Sequence, residues 1–564
     1  MRKLLAFLMS ALLMLSLAAC SGCSGDPEPG ASSAPEISDP NSVGVSDVSD
    51  PTGDSKDPTA TTTGTKAPSS SNNKTSSASS NNKTSSASSN KKTSATTSAK
   101  TTAAAPTNTE SPVTINTAIL WNGQTSSYDA KAETLRKSIL NAKDTVKATT
   151  DGTTRYVSYK GNDKNDGLTP ATAWRTVTRA AGALANSTIL FERGGVYRGT
   201  MNLKNGMSVG AYGTGAKPQL YASPQNYADE SLWKKTNTAN VWRLDVGKAV
   251  GDVGNIIFDY GKECASIGKQ RYAEYLKKDF DFLSDTSNGY LYLYLSKGNP
   301  GKLYKSIEIT PKKALLGKIS SNLQNITVDN LCLKYANFGI ALDGITNLPV
   351  TNSAIGWNGG SMLNADVRYG NGIELFGKVE GAKIENNWIY QCYDAGYTNQ
   401  DNGNRIQNNI TVKNNLIEYC NYNIEVFVGA SKGGKVTNTV YEKNVLRFAG
   451  YGFGSYNRIG SDTSQVGHIR ATINSDGCPS ENFIIRNNIF DCSAYQLVNS
   501  SRYDGVKGPL FTGNTWIQNG AKNASTARVY KGSDSYPSYL PAGNLETMKA
   551  SVAIVDKNAT VIFE

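Results

Sequence analysis

Ile384-Glu385-Asn386-Asn387-Trp388-Ile389 is the stretch that decides the fold, because its pattern returns six more times in this chain of 564 residues. Val328-Asp329-Asn330-Leu331-Cys332-Leu333 and Val350-Thr351-Asn352-Ser353-Ala354-Ile355 precede it. Val412-Lys413-Asn414-Asn415-Leu416-Ile417 follows, and then residues 441–446 (YEKNVL), 485–490 (IRNNIF) and 511–516 (FTGNTW). Each copy brackets an asparagine-rich turn between an apolar first and an apolar sixth position. Irregular steps of roughly 22 to 44 residues signal stacked supersecondary units. Short β-rich runs with an Asn at a fixed place predict a coil of parallel strands, its Asn side chains bonding from rung to rung. Three residues beyond the sixth position stand Ala336, Cys392, Cys420, Ala449 and Ser493, all small, as a tight inner corner requires. Cys392 and Cys420 are read as a packed stack. A rung spacing of about 4.8 Å permits a disulfide there without demanding one.

Each rung then carries a second strand. Aligning Gly339-Ile340-Ala341, Gly372-Ile373-Glu374, Gly396-Tyr397-Thr398, Asn423-Ile424-Glu425 and Gly452-Phe453-Gly454 puts Ala341, Glu374, Thr398, Glu425 and Gly454 in one column. Alternation turns that column outward if Ile373 and Ile424 face the core. Glu374 and Glu425 then share an outer face two rungs apart, about 9.6 Å between backbones at about 4.8 Å per rung. Asp394 lies at the turn of the rung between them. Inverting glycosidases separate their two carboxyl groups by roughly 6.5–9.5 Å and retaining ones by about 5–5.5 Å. The Glu pair suits the first case and Asp394 with either Glu suits the second. The alternative is a solvated face on which Glu is ordinary.

Two long insertions flank this column, residues 357–370 and 455–480, and loops on a stiff scaffold commonly build clefts. They and the neighbouring strands supply Trp357, Tyr397 and Tyr422 as sugar-stacking candidates. Arg458, His468 and Arg470 are the polar substrate-binding candidates. His468 is the sole histidine, so no multi-histidine metal site can be built, and no metal ligand is assigned.

The rest of the chain sets context. Lys3 and the apolar run 4–19 have the layout of a secretory signal, too short to span a membrane. Leu17-Ala18-Ala19-Cys20 resembles the bacterial lipobox, which implies cleavage before Cys20 and its lipidation. Residues 20–112 collapse to Ser, Thr, Asn, Lys, Ala and Pro, with SNNKTSSAS at 71–79 and again at 80–88. Such a stretch has little to bury and is predicted to be a disordered tether with a reach of roughly 50 Å. It holds nine acids and seven lysines, so the formal charge of +11 lies mostly in the remainder. That favours acidic surroundings such as a cell-wall polymer. The basic residues are scattered and no nucleic-acid motif is present, which argues against nucleic acid as a partner. A helical lead-in (113–154, with an amphipathic helix over 129–146) precedes a cap and first turns (155–223). A β-rich insertion (224–310), the rungs (311–520) and a C-terminal cap (521–564) complete the expected organisation.

The segments YVSYKGNDKNDGLTPATAW (156–174), TILFERGGVYRG (188–199) and VGAYGTGAKP (209–218) resemble the first turns of bacterial right-handed parallel β-helix proteins of the pectate-lyase-like superfamily. The resemblance implies an all-β, right-handed parallel β-helix, a helix capping its open end, and action on polysaccharides. The insertion is similar in layout to that of some β-helix glycoside hydrolases. The leading expectation is a monomeric, lipid-anchored glycoside hydrolase at the bacterial cell surface, needing no cofactor and using Glu374, Asp394 and Glu425. A polysaccharide lyase is the second, with calcium or an Arg (Arg405, Arg458 or Arg470) neutralising a uronate. A non-catalytic glycan-binding adhesin is the third.

Overall fold

The computed structural model describes residues 123–318, 322–364, 367–401, 404–429, 433–456, 466–471, 478–500, 502–521, 524–529 and 538–564. Cys20, the tether and Arg458 lie outside the described residues. The recurring phrase stacks position for position. Its first residues, Val328, Val350, Ile384, Val412, Tyr441, Ile485 and Phe511, pair in that order along parallel strands. Its sixth residues do the same, from Leu333 through Ile355, Ile389, Ile417, Leu446 and Phe490 to Trp516. Both columns line one continuous apolar interior.

The turn between the columns has a division of labour. The third position takes a left-handed backbone, as at Asn386 (φ 57°), Asn414 (φ 54°) and Asn487 (φ 56°), a conformation Asn tolerates better than most residues. The fourth position builds the ladder. The backbone N–H of Asn387 donates to Asn415 Oδ1 (2.9 Å), that of Asn415 to Asn444 Oδ1 (3.0 Å), that of Asn444 to Asn488 Oδ1 (3.0 Å) and that of Asn488 to Asn514 Oδ1 (2.9 Å). The ladder closes on Asp556, whose carboxylate accepts from the backbone N–H of Asn514 (3.0 Å) and from Trp516 Nε1 (3.2 Å). Buried turn amides thus keep partners that no regular strand would supply.

The described strands form a ten-stranded sheet and a nineteen-stranded one that continues around a corner of the coil. The corner is visible in the strand Phe338–Thr351, which bends at Gly344 (φ 77°) and Asn347 (φ 61°) without leaving the sheet. The fold is a right-handed parallel β-helix, the hand that parallel crossovers take. Both ends of the apolar interior are plugged, by Val177 and Ala180 of the short helix Val177–Ala181 and by Met548, Val552 and Val555 of the helix Leu545–Val555. Plugs of this kind protect a parallel edge from pairing with another chain. Cys392 and Cys420 are free, buried thiols.

The lead-in helix α1 (Asp129–Leu140) ends earlier than its amphipathic pattern predicts. Residues beyond it run on as an irregular strap, because the backbone N–H groups of Thr145 and Val146 are taken by Asp329 Oδ2 (2.6 and 3.3 Å). Helix α1 covers an outer apolar layer on the ten-stranded sheet, with Ala132 and Ile139 against Trp388, Leu416 and Val445. Its buried Arg136 pairs with Glu418 at 2.6 Å, and Trp388 Nε1 donates to the same carboxylate. The insertion folds into a five-stranded and a three-stranded sheet around its own core of Trp233, Trp242, Phe258, Phe282 and Leu291. A buried bidentate pair, Arg198 with Glu308 (2.9 and 2.8 Å), ties it to the first turns.

Candidate active site

Successive strands of the nineteen-stranded sheet carry the candidate side chains. They are β1 (Phe338–Thr351), β2 (Ile373–Glu385), β3 (Ala395–Asp401), β4 (Tyr422–Val428), β5 (Gly467–Ala471), β6 (Gln496–Ser500) and β7 (Ser525–Val529). Ile340, Ile373, Tyr397, Ile424 and Ile469 stack into the coil interior. The next residue on each strand belongs to the opposite, outer face. That outer column runs Ala341, Glu374, Thr398, Glu425, Arg470, Asn499 and Arg528. Gly454 does not belong to it. The chain makes a short 3-10 turn at Phe453–Tyr456 and reaches the next rung only at β5, so Arg470 takes the place aligned for Gly454.

Glu374 is the electrostatic centre. Part of its surface meets solvent, yet the atoms around it desolvate its charge and push its pKa up to about 7. The Asn371 side chain opposes this by donating to Glu374 Oε2 at 2.7 Å. The negative charges of Glu425, Asp394 and Asp343 reinforce it. The other two carboxylates chosen from the sequence therefore both act on Glu374, and Asp343 joins them. Asp343 stands two places beyond Ala341 on β1, the same alternation that selected Glu374, so a signal for it was present. Arg405 Nη1 lies 3.6 Å from Asp343 Oδ1.

Glu425 sits deeper, at 4% exposure. Its Oε1 accepts from Arg470 Nη1 at 2.8 Å, and its Oε2 accepts from Thr398 Oγ1 (3.2 Å) and Gln400 Nε2 (3.1 Å). The Arg470 guanidinium lies over the rings of Tyr422 (4.8 Å) and Phe427 (5.6 Å). Arg470 and Tyr422 thus stand beside the carboxylates, with Tyr422 almost wholly covered. Asp394 is partly exposed, and its backbone N–H donates to Gly370 O at 3.1 Å. On the other flank Tyr369 comes near enough for Glu374 to raise the pKa of its hydroxyl, in addition to the rise that burial causes. Tyr369 packs on Phe338 at 5.3 Å between ring centroids. The sequence reading missed Tyr369 although it lies in the loop flagged as a wall.

Three proposed substrate contacts point elsewhere. Tyr397 is fully buried inside the coil, because its column is the inward one of Ile373 and Ile424. Trp357 is 2% exposed, stacks on Phe453 at 5.8 Å, and is covered by the insertion at Gly261, where an added Cβ would lie 2.4 Å from the indole. His468 is fully buried; its Nδ1 lies 2.9 Å from Asn423 Nδ2 and its ring stacks on Phe490. Burial, and secondarily the charge of Arg447, depress its pKa to about 3, so it is a neutral packing residue.

No protein-family model matches the sequence, and none of the curated proteins does. Solved structures do. XylC in complex with xylose is 13% identical, with 68% of this chain and 86% of that one covered at a TM-score of 0.35. A GH136 lacto-N-biosidase from Eubacterium ramulus is 13% identical over 73% of this chain and 67% of that one, at 0.32. The pectate lyase Pel9A is 10% identical over 69% and 80%, at 0.28. The strand pairing makes the chain a parallel β-helix protein.

Proposed function

We propose that this protein is a carbohydrate-active enzyme that hydrolyses glycosidic bonds of a polysaccharide, with Glu374 as general acid. The observation that carries this is the contrast among clustered carboxylates on one outer face. Glu374 is held near pH 7 by desolvation and by its neighbours' charges, so much of it keeps a proton at neutral pH. Glu425 is ion-paired with Arg470 at 2.8 Å and accepts from Thr398 and Gln400 as well. Titratable groups whose environments push them apart divide acid from base work. Asp394, more accessible than Glu425 and close enough to raise Glu374, is the base or nucleophile. In the first step Glu374 protonates the leaving glycosidic oxygen while Asp394 either attacks the anomeric carbon or deprotonates the water that does. Burial is the larger cause that keeps Glu374 protonated, and the Glu425 carboxylate adds to it. No step needs a metal, so a chelator is expected to leave turnover unchanged. Of the arginines a lyase could use to neutralise a uronate, Arg470 is paired with Glu425 at 2.8 Å.

The same reading places the enzyme outside the cytoplasm, as a monomer tethered to the membrane through lipidated Cys20. The test is release of reducing ends across a panel of plant and cell-wall polysaccharides, with ultraviolet absorbance followed for an unsaturated product. Glu374→Gln and Asp394→Asn should each lower turnover by about 100-fold or more while melting stays near that of the parent. An unsaturated product would replace the hydrolase with a lyase. Full turnover in both amide variants would remove the site.

A further inference from the structure

A buried arginine side chain helps to hold the loop that carries Tyr369. Arg368 is 2% exposed. Its Nε donates to Gly360 O (2.8 Å), within the same loop. Its Nη2 donates to Gly254 O (2.8 Å) and Ser266 Oγ (2.9 Å), and its Nη1 to Ser266 O (3.0 Å), all in the insertion. The guanidinium also lies 4.5 Å from the ring centroid of Tyr393. The backbones it joins are in close contact. A Cβ on Gly254 would lie 2.5 Å from Ser361 N, and one on Gly360 would lie 2.5 Å from Gly254 O. Asp252 of the insertion reinforces the seam by accepting from Met362 N at 2.6 Å.

The three residues starting at Arg368 each meet the candidate site differently. Arg368 grips the insertion and the ring of Tyr393, the neighbour of Asp394. Tyr369 flanks Glu374 and the carbonyl of Gly370 accepts the backbone N–H of Asp394. We propose that Arg368 is a positioning residue through which the insertion forms one wall of the site, setting Tyr369 and Asp394 against Glu374. The proposal deepens the hydrolase reading and rests on it. Arg is suited to this task because its planar fork serves several acceptors in fixed directions, which a Lys ammonium does not reproduce.

The test compares the full mature chain with Arg368→Lys and Ser266→Ala. Carbodiimide labelling of Glu374 is followed against pH by peptide mass spectrometry, since the reagent takes the protonated carboxyl. The parent should show a midpoint about 7. In Arg368→Lys the wall loosens, more water reaches Glu374, and the midpoint should fall by about one pH unit, a tenfold loss of labelling above it. On any polysaccharide the parent hydrolyses, kcat should fall about tenfold with little change in KM, the pattern of misplaced reacting groups. A folded Arg368→Lys that keeps the parental midpoint overturns the proposal. If that variant fails to fold, Ser266→Ala decides, with a smaller downward shift expected and no shift overturning it. A parent that hydrolyses nothing sinks the hydrolase reading alone, because the labelling midpoint still tests the wall.

Discussion

Glu374 shows how far a single residue can be read. Two-residue alternation selected it, Glu425 and their outward column from sequence alone, and the register bears out that column as far as Glu425. Its raised pKa came from elsewhere, from desolvation and the charges of Glu425, Asp394 and Asp343. Two pH predictions follow from the sign. An acid active when protonated should lose kcat/KM as pH rises through about 7. Glu425→Gln removes a negative neighbour and leaves the Arg470 cation uncompensated, so the alkaline limb should move to lower pH. In stability the folded state holds a proton that the unfolded state releases between about 4.5 and 7, so this group's contribution is full below that window and lost across it. Glu374→Gln should therefore raise stability at pH 8 by about 1–3 kcal/mol relative to its effect at pH 4. Thermal melts at the two pH values check this, and an equal effect at both would contradict the assignment. Tyr397 marks the limit of the residue scale. Its neighbours in register, Ile373 and Ile424, face inward, and the same alternation buries an aromatic that stands one place from the carboxylate column.

At the scale of the element, the asparagine ladder is where sequence and structure agree most closely. A repeat of Asn at one position reports a backbone need that recurs at one place in every rung. Asn415 accepts from Asn387 and donates both to Asn444 Oδ1 (2.9 Å) and to Ile384 O (2.7 Å), wholly buried. Asn415→Ala strips partners from buried amides on two rungs and should cost about 1–3 kcal/mol, measured by urea unfolding. The end of the ladder was not legible. Asp556 closes it after a gap in which the repeat has vanished, brought there by the C-terminal helix rather than by any copy of the phrase. The 129–146 helix fell short for a related reason: Asp329, far away in sequence, offers the backbone of Thr145 and Val146 a better partner.

For the whole molecule, the stack supplies stiffness and the outer face is shaped by what is laid against it. Helix α1 seals one side through the Arg136–Glu418 pair and through Asp129, which pairs with Arg447 of the stack. The insertion seals Trp357 and meets the loop that bears Tyr369. A tether of Ser, Thr, Asn and Lys has little apolar surface to bury. A shortened chain beginning at Val113 should melt within about 2 °C of the mature protein, since surface changes away from packed features rarely exceed about 0.5 kcal/mol. Calorimetry checks this, and a loss of several degrees would count against the tether. Cys20→Ala should abolish labelling by a fatty-acid analogue and release the protein from cells.

The sequence by itself determined the coil, its register and the outward pair of glutamates, because a strand repeat is a local pattern that each rung states again. Only the tertiary structure decided which aromatic and polar residues face solvent. Trp357 and His468 are buried by contacts with residues distant in sequence, and Arg470 reaches Glu425 only after a long loop has returned to the stack. The alternation of a strand is set by its own backbone geometry. Covering by an insertion, and the electrostatic field of carboxylates from separate rungs, are sums over residues that no local pattern brings together.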